Sequence, residues 1–481
     1  MTTGNIFSSC TDDFEKLNTS NIQVDPADLP FAAQCTEPMT YCYPPQQNMF
    51  QFWTNLTIDL YGGYFMTPNG NFTNGDMGEN RGHSGGMYEN YYLHIFNNTR
   101  RIIAQCDASG ERGLSGVMRI VQAYGTLMTT DAYGPIPYSS ILSGENEVYF
   151  EFDSQKDLYK AMLEDLSTAI TDISAMGADE IAKLKSFDCW CNGDKDLWVK
   201  IANTMKLRMA LRLSKRETEA SNAGMNLKAI ATEAAQNTLA TVNKDILIDK
   251  SLENEMWLMF NWGDCGFNAN LVTIMSGTKD PRQPLYMTLN TGDIKNEAGT
   301  TTVAANSQYL GIRFASGLPA KPNSWGNFSG WIQGNNGSSY SMPLPIMKAA
   351  EAYFLLAEAK LRWDIGSESV KNLYENGIRV SMTNELAYRG AYAGIKEYPE
   401  GAVDAYINGT STQIDYTDPI KAELSTPAVN KLSVKWDESA SNEEKLERII
   451  TQKWLALFPL STEAPAIHAS FLHSSMKVME P

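Results

Sequence analysis

Apolar residues recur every three or four positions in one segment after another. No other feature limits the fold as much. Leu114, Val117, Ile120, Val121, Tyr124 and Leu127 share one helical face. That helix is predicted to end near Asp131, because Tyr133-Gly134-Pro135-Ile136-Pro137-Tyr138 forces an extended turn. Ser154 is placed to cap the next helix, with Asp157 as a weaker version of the capping-box acid. Leu158, Met162, Leu166, Ile170 and Ile173 make its stripe. A third helix, from about Asp194, sets Trp198, Ile201, Met205 and Met209 on one face and Lys206, Arg208 and Arg212 elsewhere. Ala350, Phe354, Ala357 and Leu361 line another, and Leu446, Ile450, Trp454 and Leu457 a late one. The late helix opens on several Glu, which a helix N-terminus favours. Strand signals are few. The expectation is a mainly α chain of paired helices with short connections, a helix-hairpin array with a degenerate repeat.

Two stretches break the pattern. Residues 61–92 mix Gly and Asn with Tyr61, Tyr64, Phe65, Phe72, Tyr88, Tyr91 and Tyr92. Residues 254–345 are longer, and 315–342 consist almost entirely of turn formers around Trp325, Phe328 and Trp331. Loops this long inside a compact body are functional or disordered. The embedded tryptophans favour function.

Charge removes whole classes of partner. The 39 Lys and Arg against 56 Asp and Glu leave −17, which argues against nucleic acid and against a basic lipid-binding patch. Hydrophobic residues make up 43%, enough for a core. No stretch approaches the roughly 18 apolar residues of a membrane helix, so membrane attachment is expected to be covalent. Cys10 follows small residues, as the lipidated cysteine of a bacterial lipoprotein does. Residues 1–9 have neither the basic nor the apolar part of such a signal, so the natural start is expected upstream or altered. The seven cysteines include Cys189-Trp190-Cys191, whose spacing suits zinc poorly, and buried thiols are expected instead.

No catalytic residue, metal or cofactor is assigned. Gly82-His83-Ser84-Gly85-Gly86 has the letters of a nucleophile elbow, but residues 71–81 before it cannot form a core strand. Glu351 and Glu358 would stand about 10.5 Å apart along one helix face, near glycosidase spacing. Their Ala, Phe and Leu neighbours mark them as hydrogen-bonded structural carboxylates. The four histidines show no metal-binding pair, and no phosphate or dinucleotide loop occurs.

Several segments in order resemble the SusD/RagB-like outer-membrane lipoproteins of Bacteroidetes, with the closest fit to the SusD-like-2 branch. They are Cys10-Thr11-Asp12-Asp13-Phe14, residues 119–138 ending in D-x-Y-G-x-x-P-Y, residues 152–167, the Trp198 to Arg208 helix, Gly277 to Arg282, and residues 350–359 and 449–459. The resemblance implies a TPR-like helix-hairpin scaffold, a SusD-like α-α superhelix, with long loops packed on it. It implies a lipid-anchored tail over 1–20 and a single domain over 21–481. It also implies no catalysis, a place on the cell surface, and a SusC-like TonB-dependent transporter as partner, to which the protein delivers captured nutrient, most often glycan. Where the family continues with E-A-W-x-E-x-R-R, this sequence has Glu463-Ala464-Pro465-Ala466, so residues 465–481 are expected to pack poorly.

Glycan capture needs aromatic faces beside groups that bond hydroxyls. The candidates are Phe72 and Tyr88 in the first stretch and Trp262, Trp325 and Trp331 in the second, with Asn74 and Asn327 as polar partners. Asp280-Pro281-Arg282 is expected to anchor a loop through a bond to backbone. The alternatives are a helical-repeat scaffold that binds protein and a surface esterase or glycosidase built on Ser84 or Glu351 and Glu358.

Overall fold

The computed structural model describes residues 29–43, 47–76, 78, 80–143, 149–248, 255–332 and 343–459. Cys10 and the segment 465–481 lie outside the described residues.

The main helices are α1 (Phe31–Tyr41), α2 (Arg81–Asn90), α3 (Asn97–Ser109), α4 (Arg112–Tyr133), α5 (Gln155–Ser174), α6 (Lys195–Arg212), α7 (Leu227–Ala234), α8 (Ala349–Trp363), α9 (Val370–Ala393) and α10 (Asn442–Leu457). Neighbours in sequence pack as neighbours in space: α3 on α4, α4 on α5, α5 on α6 and α6 on α7. Then α8 packs on α9 and α10, and α6 touches α8 to join the two halves. One apolar core runs through the array from Cys35 to Ala456.

The ends of the helices follow local chemistry. α4 stops where Gly134 takes φ 79°, a left-handed value that a Cβ would oppose. Ser154 Oγ accepts from Asp157 N at 3.2 Å to start α5. Asp194 caps α6 through Asp196 N and Leu197 N. At α10, Ser441 and Glu444 form a full reciprocal capping box.

α6 departs from a one-sided stripe. It lies between α5, α7 and α8 and is buried all round, Lys206 and Arg208 included. Its polar groups are matched: Lys206 reaches Glu233 at 2.9 Å, and Arg208 meets Glu351. Among the described residues, strands occur only as two-stranded antiparallel ribbons of two to four residues.

The two irregular stretches are less irregular than expected. Residues 61–92 contain α2, and 254–345 contain short helices Glu255–Asn261 and Ala269–Thr278. The second is apolar, buried and capped by Asn268, whose Oδ1 accepts from Asn270 N at 2.9 Å. These stretches also own cores. Phe65, Phe267, Trp331 and Phe458 belong to one, and Leu56, Leu318, Trp325 and Phe328 to another. That is why so many aromatics sit in segments rich in turns.

Candidate functional site

The two irregular stretches interlock. Gly70 N donates to Pro319 O at 3.0 Å, and Ala315 N to Gly75 O at 2.9 Å. Gly317 N donates to Asp76 Oδ1 at 2.8 Å, and Asn323 Nδ2 to Pro68 O at 2.7 Å. A Cβ at Gly70 would overlap the Leu318 carbonyl, so the approach requires glycine.

Half-exposed rings stand along this junction and on α2 beside it. Phe52 stacks on the His83 imidazole at 4.3 Å and 10°, and Phe72 lies against the same ring at 5.9 Å. Phe52 comes from Phe50–Ile58, wound as π-helix, whose wider turn carries bonds such as Asp59 N to Thr54 O. Asn74 is buried, with Oδ1 3.2 Å from His83 Nδ1. In this arrangement Nδ1 carries the proton and Nε2 is an acceptor. Burial lowers the His83 pKa below the usual imidazole value, so the ring is neutral at physiological pH. Further along α2, half-buried Tyr88 meets Tyr133 edge-on at 5.5 Å and leans on Tyr92 at 4.8 Å. Half-buried Gly85 lies between the two groups of rings, and a Cβ there would touch nothing.

Trp262 is half-buried at the same junction. Lys321 Nζ donates to Trp262 O at 2.7 Å and to Asp264 Oδ1 at 2.6 Å. Asp264 also accepts from Asn69 at 3.0 Å and Gln51 at 3.2 Å.

Trp325 and Trp331 are not platforms. Trp331 is 2% exposed, packed among Phe260, Phe267 and Phe458 with the Arg389 guanidinium 5.4 Å from its centroid. Trp325 is 4% exposed, and its Nε1 donates to Asp418 at 3.3 Å. A ring with so little exposure has no face for a sugar. Each anchors a loop core instead. Asn327 is exposed, and its Nδ2 donates to Asp293 O at 3.2 Å. Phe52 and His83, which are not among the sequence candidates, stand with Phe72 at this junction. The signal available was an imidazole within the glycine-rich Gly82-His83-Ser84-Gly85-Gly86.

The catalytic alternatives fail on geometry. Ser84 lies in the first turn of α2, where its hydroxyl donates to Asn80 O at 3.1 Å. His83 is engaged with Asn74. Gly86 is there because Trp53 packs where a Cβ would stand. Glu351 takes both prongs of Arg208, at 2.8 and 2.6 Å, and Glu358 takes Arg362 at 2.7 Å. Burial pushes the Glu351 carboxyl up, but Arg208 outweighs it and holds the group ionised below its usual range. Asp280 does not bond only to backbone. It pairs with buried Arg282 through Nε at 2.9 Å and Nη2 at 2.6 Å, and Arg282 reaches Ser381 at 2.8 Å.

The scaffold is helical, its interlocked loops display half-buried rings, and Glu351 and Glu358 are both held in ion pairs. The chain belongs to the SusD-like family: the family model, described as SusD and RagB outer membrane lipoprotein, matches residues 15–468. Members of this family bind carbohydrate without catalysis, and the protein is not an enzyme. No described helix is long and apolar enough to cross a membrane.

Solved structures agree. A chitin-binding SusD homologue from Flavobacterium johnsoniae is 26% identical with a TM-score of 0.77, over 91% of this chain and 85% of that one. A SusD homologue from Bacteroides ovatus is 27% identical with a TM-score of 0.73, over 91% and 84%. A SusD-like protein from Bacteroides thetaiotaomicron is 25% identical with a TM-score of 0.74, over 92% and 86%. No curated protein sequence matches the chain.

Proposed function

We propose that this protein captures oligosaccharide at the cell surface, held there by a lipid on Cys10, and delivers it to a SusC-like TonB-dependent transporter. The observation that carries the reading is the loop junction, where half-buried Phe52, Phe72 and Trp262 stand beside His83 and Lys321. Such rings meet the C–H face of a pyranose, and the polar groups bond its hydroxyls. The chitin-binding relative supports a saccharide ligand. Tyr88, Asn74 and Asn327 complete the candidate set, Asn74 by fixing the His83 ring.

The test is calorimetric titration against plant, microbial and host polysaccharides, with Phe72→Ala and Trp262→Ala beside the wild type. One glycan class should bind, in the micromolar to millimolar range of roughly 4–8 kcal/mol, and lose affinity in both variants. Silence across the panel, or unchanged affinity in both variants, overturns the reading.

A further inference from the structure

Large apolar side chains cluster on a surface outside the loop junction. Leu142, Tyr149, Phe150 and Phe152 are 46%, 85%, 41% and 62% exposed. Single exposed apolar residues are ordinary, but a cluster marks an interaction surface.

The backbone beside Leu142 and Phe152 is held by hydrogen bonds. Ile136–Pro137 pairs with Phe152–Asp153 in an antiparallel ribbon, Pro137 opposite Phe152. Asp153 clamps the turn, with Oδ2 accepting from Tyr138 N at 2.9 Å and Ser139 N at 2.8 Å, and Oδ1 from Ser139 Oγ at 2.6 Å. Ser140 Oγ donates across to Glu151 O at 3.1 Å, which brings the Leu142 and Phe152 arms together. A surface ordered in advance loses little entropy on docking.

Beside the cluster runs a groove of about 370 Å³. Leu142, Leu158 and Ala161 supply its apolar wall, and Asp153, Asp157 and Glu164 stand along it. Among the described residues, Glu164 has only Lys160, 4.0 Å away, as an ion-pair partner. An apolar floor edged with carboxylates selects an apolar anchor flanked by cations and repels an acidic segment. The patch also adjoins the candidate site: Tyr92, which leans on Tyr88, donates to Pro137 O at 2.7 Å.

We infer that the Leu142–Phe152 cluster and its acidic groove are the docking face for the transporter, engaging a segment that carries an apolar anchor bordered by Lys or Arg. The inference rests on the transporter reading above.

The experiment co-purifies the full-length lipidated protein with a SusC-like transporter of the same organism, in detergent, comparing wild type with Tyr149→Asp/Phe152→Asp and with Phe152→Leu. Both positions are exposed, so the melting temperature should hold. The double Asp variant should bind the transporter about tenfold or more weakly, Phe152→Leu should stay near wild type, and wild-type binding should weaken with added salt. Wild-type affinity in the double Asp variant overturns the docking face while leaving the transporter reading intact. A wild-type protein that titrates with glycan yet captures no transporter overturns both.

Discussion

Arg208 on α6 and Glu351 on α8, far apart in sequence, meet through two hydrogen bonds of 2.8 and 2.6 Å with essentially no side-chain exposure. This pair sits where the two halves of the helical array touch. Removing one partner leaves a charge stranded out of water, while removing both leaves only a packing problem. Glu351→Ala should therefore lower unfolding free energy by about 3–5 kcal/mol, and Arg208→Met/Glu351→Met should recover most of that loss. Urea denaturation of the three proteins checks it. Equal losses in the single and double variants would show that the pair is not coupled.

Gly85 and Gly86 predict opposite outcomes from adjacent positions. A methyl at 86 collides with the Trp53 indole, whereas one at 85 meets open space. Gly86→Ala should cost about 1–3 kcal/mol through overpacking. Gly85→Ala should stabilise the helix by up to about 1 kcal/mol. Thermal melts separate them by sign.

The tryptophans divide by what they hold. Trp331→Ala should cost about 3–5 kcal/mol of stability, because the ring fills a core shared with Phe267 and Phe458. Phe72→Ala should leave the melt close to wild type and act on glycan affinity. Paired melts and titrations decide whether these roles are distinct.

Asp245 gives the molecule a pH signature. Burial raises its pKa from 3.8 to about 6, although Oδ1 accepts from Ala349 N at 2.8 Å and from Asn384 at 2.7 Å. The folded chain therefore holds this proton more tightly than the unfolded chain does. The stability it contributes is complete below about pH 4 and is lost as pH rises through about 6, at most about 3 kcal/mol. Asp245→Asn keeps an oxygen acceptor and removes the titration. The variant should gain on wild type between about pH 4.5 and about pH 7.5 in urea unfolding. A constant difference across that range would contradict the assignment.

The helices were legible because their cause is local. The Leu114–Leu127 stripe, the Ser154 cap and the Gly134 stop are written within a few residues of where they act. α6 was less legible. Whether Lys206 and Arg208 face water depends on α7 and α8, which bring Glu233 and Glu351 to them. The site was half legible for the same reason. Turn-rich sequence with aromatics marked both loops, but could not distinguish Phe72 at the rim from Trp331 in a core. That distinction is made by Phe267 and Phe458, which are distant in sequence. Phe52 escaped because a π-helix, not a loop, delivers it.

Two of the bonds that interlock the loops join main-chain atoms alone, Gly70 N to Pro319 O and Ala315 N to Gly75 O. Bonds of that kind are indifferent to most side chains. Side chains such as Phe72 can thus be substituted without removing those main-chain bonds. Gly70 has no such freedom, because a side chain there would collide with the Leu318 carbonyl.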